Sequence, residues 1–121
     1  MTVAYWIGAS LLALFYLYSG AMKVVRSKEQ LRPMMEWVDA MPLAALRTIG
    51  LLELLGAIGL IVPPLIDVAA GLALAAAIGL VLLQLGATAL HLSRGETRQI
   101  WLNLTLLALS AVTVWLATVW L

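Results

Sequence analysis

The chain has no cysteine. Disulfides, thiolate metal sites and thiol-based redox chemistry are therefore excluded. It has one histidine, His91, so haem held between two histidines of a single chain is excluded as well. Charge is scarce: 11% of the 121 residues are charged and 64% are hydrophobic. A soluble domain is typically about half apolar and a quarter charged, and a chain this small has too little interior to hide the excess. The net charge of +1 says nothing of nucleic acid, and no nucleic-acid partner is expected. The methionines read as apolar filler, not as a metal-binding set, and no metal site is expected. What remains is one small integral membrane domain over residues 1–121, all-α, because a lone apolar segment satisfies its backbone in hydrocarbon only as a helix.

Four stretches are long enough to span, at roughly 20 residues for 30 Å of hydrocarbon. They run at about 3–25, 43–62, 68–92 and 99–121. The first lacks the basic start and the small-residue cleavage site of a secretory leader, and its basic residues Lys23 and Arg26 follow the apolar run. It reads as a spanning segment. Pro42 suits the start of the second, and Pro63-Pro64 predicts its end. Asp67 reads as a solvated turn residue or an N-cap for the third span. Gly71, Gly79 and Gly86 on the third span read as sites of close helix packing. Between the first two spans lies the polar stretch 27–41. Leu31, Met34, Met35 and Val38 share a helical face there, with Pro33 in the first turn and Trp37 at headgroup level. A short amphipathic helix on the membrane surface, or a mobile loop, fits this pattern.

All seven Lys and Arg residues, Lys23, Arg26, Lys28, Arg32, Arg47, Arg94 and Arg98, fall at one end of the four spans. The positive-inside rule puts that end in the cytoplasm and both termini outside, in a plasma (inner) membrane. Trp101 at one end, with Trp115 and Trp120 at the other, fits two interfacial aromatic belts.

The second span holds one carboxylate, Glu53, among Gly50, Gly56 and Gly59. An ionisable group at that depth is costly and faces a bundle interior or a partner charge. Helix rise places Glu53 roughly 9 Å above Arg47 and Gln84 roughly 10 Å above His91. The same rise puts Asn103 roughly 7 Å above Arg98 and Tyr16 roughly 10 Å from Lys23. Each span thus carries a polar group in one inner layer. A pocket of Glu53, Tyr16, Ser19, Gln84, Thr88 and Asn103 follows if these faces converge, with Lys23, Arg47 and His91 around its cytoplasmic mouth. Tyr16, Ser19 and Lys23 also fit a plain packing stripe that ends in a snorkelling lysine. Glu53 is then either a hydrogen-bonding hub that sets helix register or the centre of a ligand site.

These residues carry a resemblance. Ser19-Gly20 with Lys23, then Arg47, Gly50, Glu53-Leu54 and Gly56-Ala57-Ile58-Gly59-Leu60 with Pro63, resemble the DoxX-like family of small four-helix membrane proteins. Gly86-Ala87, His91, Arg94-Gly95-Glu96 and Asn103 continue the likeness over nearly the whole chain. The family takes its name from subunits of a thiosulfate:quinone oxidoreductase, and it supplies no agreed catalytic constellation. The resemblance implies a transmembrane four-helix bundle with no cofactor held by motifs of its own and a link to quinone or redox complexes. Three functions stay in play. The chain binds a small lipophile such as a quinone or lipid, or anchors and assembles a partner complex or a homo-oligomer. The third is a proton-coupled exporter, although small exporters of that kind carry their glutamate in the first span.

Overall fold

The computed structural model describes residues 2–33, 41–95 and 97–121. The long helices are α1 (Thr2–Val25), α3 (Leu43–Ile66), α4 (Leu72–Arg94) and α5 (Thr97–Ala117). A single turn, α2 (Lys28–Leu31), follows α1, and a 3-10 turn, Thr118–Trp120, follows α5. No strand occurs among the described residues. Four of the helices are long and apolar enough to cross a membrane. They pack as a ring in chain order, α1 against α3, α3 against α4, α4 against α5 and α5 back against α1. The all-α four-helix bundle expected from the sequence is the fold the chain adopts.

Glycine sets the tightest contact. A Cβ on Gly20 would stand 2.7 Å from the Gly50 carbonyl oxygen, and one on Gly50 would stand 2.8 Å from that of Gly20. Helices α1 and α3 therefore touch backbone to backbone, as small residues permit in a bilayer. Further along α3, a Cβ on Gly56 would meet Leu80 Cδ2 at 2.7 Å and one on Gly59 would meet Ala76 Cβ at 2.9 Å. The glycines of α4 behave differently from expectation. Nothing lies within 4 Å of a Cβ built on Gly79 or Gly86, and Gly71 meets only Leu121, at 3.8 Å. These positions leave room beside α4 where close packing was expected, because the neighbouring helix approaches α4 along the Ala76 and Leu80 row.

Helix α3 does not stop at Pro63-Pro64 but continues to Ile66. Proline removes the N–H that would bond to the carbonyl four residues earlier. Pro64 thus deprives the Leu60 carbonyl, and the Tyr5 hydroxyl on α1 donates to that oxygen at 2.5 Å. Such outside donors let a proline sit inside a membrane helix. The helix ends where Asp67 enters the left-handed region at φ 55°, and the Val68 N–H closes back on the Pro63 carbonyl at 3.2 Å. Asp67 is therefore an exposed C-cap of α3 and not an N-cap of the next helix. With Ala69 also at positive φ, the turn uses residues 67–71, so α4 starts at Leu72, later than expected.

Among the described residues of the polar stretch after α1, a helix forms over Lys28–Leu31. There the Ser27 hydroxyl accepts from the Gln30 N–H and the Gln30 side chain accepts from the Ser27 N–H. That reciprocal cap starts the helix early. Pro33 follows its C-cap, Arg32. Leu31 is buried against Met22 and Leu46. Met34, Met35, Trp37 and Val38 lie outside the described residues.

The bundle has two zones. Toward the end that carries both termini, Ala9, Leu12, Ala57, Leu60, Ala77 and Leu80 form a closely packed apolar core. Tyr5, Trp6 and Trp120 cap that end in mutual edge-to-face contacts. Toward the end that carries the basic residues, the interior becomes polar. Outside, Leu14, Leu55, Leu65, Leu82 and Trp115 are among many large apolar side chains left exposed. An apolar surface that continuous belongs against hydrocarbon.

Candidate functional site

The Gly20–Gly50 contact positions the site. With no side chains between them, α1 and α3 come close enough for Lys23 and Glu53 to meet directly, 30 residues apart in sequence. The Lys23 ammonium donates to Glu53 Oε1 and, one turn back, to Ser19 Oγ at 3.0 Å. Both partners are nearly inaccessible, at 7% and 4% exposure. In a low-dielectric interior each charge alone would be strongly disfavoured, and together they form a neutral unit. Lys23 therefore does not snorkel to the surface. It turns inward and makes an ion pair.

Around this pair lies a cavity of about 560 Å³. All four long helices contribute polar groups to its wall: Tyr16 and Ser19 from α1, Glu53 from α3, Gln84 and His91 from α4, and Asn103 from α5. Gln84 Nε2 donates to the Tyr16 hydroxyl at 2.5 Å, joining α4 to α1 across the bundle. Ser110 and Thr113 share the inward face of α5 with Asn103, and all three are buried. Lys23 and Tyr18 of α1 line it too, and most of the remaining wall is apolar, including Phe15, Leu83, Leu90 and Leu106.

Two residues expected here sit elsewhere. Thr88 is half-buried, donates to the Gln84 carbonyl of its own helix at 2.7 Å and does not line the cavity. Arg47 Nη1 donates to the Lys23 and Arg26 carbonyls, each at 2.6 Å. It ties down the C-terminal carbonyls of α1, which have no partners within the helix. Lys23 and His91, expected at the mouth, are both part of the buried wall.

Three buried polar atoms of the wall have no hydrogen-bond partner among the described residues. They are Glu53 Oε2, Gln84 Oε1 and Asn103 Nδ2. Buried polar groups are nearly always paired, so unpaired ones call for an explanation. Together they offer two acceptors and one donor beside a charged pair. That set can hold a ligand oxygen that accepts a hydrogen bond or a ligand hydroxyl that donates one.

The apolar walls were not foreseen. In the sequence, Phe15, Leu83 and Leu106 look like any other apolar residues of a membrane helix, and no pattern marks them as facing a cavity. Ser19 and Lys23, four residues apart, were a usable signal for the Lys23 contacts, since residues so spaced lie on one helix face.

The fold and the site together define a small polytopic membrane protein whose four spanning helices surround a largely apolar cavity with buried polar groups in its wall, in one half of their length. The chain belongs to the DoxX-like family, whose model matches residues 7–113. That match contains every residue lining the cavity. No match was found among curated proteins or solved structures.

Proposed function

We propose that this protein binds a small lipophile with a polar head, such as a quinone or a lipid, inside its bundle and performs no reaction of its own. It would serve as a non-catalytic subunit of a quinone-linked membrane complex. The observation that carries this reading is the cavity with three unpaired buried polar atoms beside the Lys23–Glu53 pair. A quinone carbonyl accepts hydrogen bonds, and Asn103 Nδ2 supplies a donor. A quinol hydroxyl donates, and Glu53 Oε2 and Gln84 Oε1 supply acceptors. The apolar wall matches the body of such a molecule, as is usual for small-molecule sites. The setting we propose is a plasma membrane with both termini outside, supported by the seven basic residues gathered at one end of the spans.

The test is purification in native lipid followed by mass spectrometry of what the protein carries, for the wild type and for Asn103→Leu. Asn103 Nδ2 has no hydrogen-bond partner to lose among the described residues, so the variant is expected to fold with undiminished thermal stability. The expected result is a stoichiometric lipophile with a polar head on the wild type, depleted on the variant. A wild-type protein that carries only bulk phospholipid, in the proportions of the surrounding membrane, overturns the reading. A stoichiometric protein partner without any such molecule replaces it with an anchoring or assembly role.

A further inference from the structure

Apolar clusters flank the cavity along the bundle axis. Toward the termini stand Leu12, Ala57 and Leu80 of the packed core. Toward the basic end, Leu31 of α2 packs with Met22 and Leu46, and Met41 and Leu90 lie against them. Lys28 Nζ donates to the Met41 carbonyl at 2.6 Å and holds that floor in place. The cavity wall also reaches the outer, lipid-facing surface of the bundle. The α1–α3 seam is shut by the glycine contact. Two flanks remain: one at Tyr18 and Leu102, on α1 and α5, and one at Leu82 and Gly86 on α4, all four exposed residues that also line the cavity.

The second flank leads somewhere. A groove of about 450 Å³ runs along the outside of the α3–α4 seam, lined by Leu52, Leu55 and Gly56 of α3 and by Gly79, Leu82 and their neighbours on α4. Leu82 and Leu83 belong to both walls, so cavity and groove adjoin through them. Every residue lining the groove is Leu, Ala or Gly, and none brings a polar side chain. Its floor is open at Gly79, where an added Cβ would touch nothing. A polar site that opens into an aliphatic groove at membrane depth has the shape of an amphiphile. We infer that the ligand of the cavity carries one aliphatic or isoprenoid tail, which leaves between α3 and α4 and lies in the groove over Gly79. This rests on the cavity being a lipophile site. Because lipid chains are as apolar as the groove, the tail is held there by packing and not by the hydrophobic effect. The groove consequently selects on the shape of the chain.

The experiment uses the full chain in lipid nanodiscs and a benzoquinone with a decyl tail that ends in a diazirine. After photolysis, labelled peptides are mapped with and without excess unmodified decyl-benzoquinone. The expected result is competed labelling of α3 near Leu55 and of α4 near Leu82. Gly79→Leu, which fills the groove without a clash at its Cβ, should reduce that labelling by about tenfold, the scale of an overpacked contact. Tail-less benzoquinone should bind the variant as it binds the wild type. Competed labelling at Tyr18 and Leu102 overturns the tail placement, as does the absence of competed labelling while tail-less benzoquinone still binds. Absence of both labelling and benzoquinone binding overturns the lipophile site itself. A second copy of the chain seated in the groove would give disulfide-linked dimers from Leu55→Cys in this otherwise cysteine-free chain and would exclude the probe, which also overturns the inference.

Discussion

The Tyr5 hydroxyl donates to the Leu60 carbonyl, the oxygen that Pro64 leaves without an intrahelical donor. The bond crosses from α1 to α3 in the dry half of the bundle and allows a proline inside a spanning helix. Tyr5→Phe is expected to leave that carbonyl buried and unpaired, at a cost of about 1–3 kcal/mol. Pro64→Ala in the same background restores an N–H and should recover most of the loss. Thermal unfolding of both variants in detergent checks this, and a Tyr5→Phe protein as stable as wild type would show the bond to be dispensable.

Lys23 and Glu53 are expected to behave as a unit. Removing one partner, as in Lys23→Met or Glu53→Leu, takes this counter-charge from the other buried group and should cost about 3–5 kcal/mol. The double variant Lys23→Met, Glu53→Leu should be far closer to wild type, because an apolar pair replaces a neutral ion pair. Additive losses across the cycle would mean that the two charges find other partners.

The glycines divide into two groups with opposite expectations. Gly50→Ala puts a methyl group 2.8 Å from the Gly20 carbonyl oxygen and must push α1 and α3 apart. Gly56→Leu collides with Leu80. Both should destabilise the bundle by about 1–3 kcal/mol, as overpacking does. Gly86→Ala meets nothing and should leave the melting temperature unchanged or slightly raised, since alanine favours helix over glycine. Equal losses at all three positions would contradict this packing.

Orientation in the membrane can be read by labelling. Single cysteines at Ser27 and Asp67, both exposed and at opposite ends of the long helices, should react from opposite sides of the membrane. With the basic end in the cytoplasm, a membrane-impermeant thiol reagent applied to intact cells should reach Asp67→Cys only. Labelling of Ser27→Cys from outside would reverse the topology.

The number of spans, their all-helical character and the inner polar layer were legible in the chain itself. Length and hydropathy set the first two, because hydrocarbon offers no partner to an open backbone. The polar layer followed from fixed helix rise, which gives the depth of Tyr16, Glu53, Gln84 and Asn103 without knowledge of their neighbours. Rise does not give the direction of a flexible side chain. Lys23 can reach either way along its helix, and only the approach of α3 at Gly20 and Gly50 decided that it turns inward to Glu53. Glycine alone does not reveal its use: Gly50 admits a helix, whereas Gly79 leaves a groove, and the difference lies in where the neighbouring helix runs. Pro63-Pro64 reads as a helix end by local rules, and a hydroxyl from 55 residues away lets the helix continue. Local sequence sets depth and backbone propensity. Which groups meet, and where room remains between them, is settled by how the helices pack.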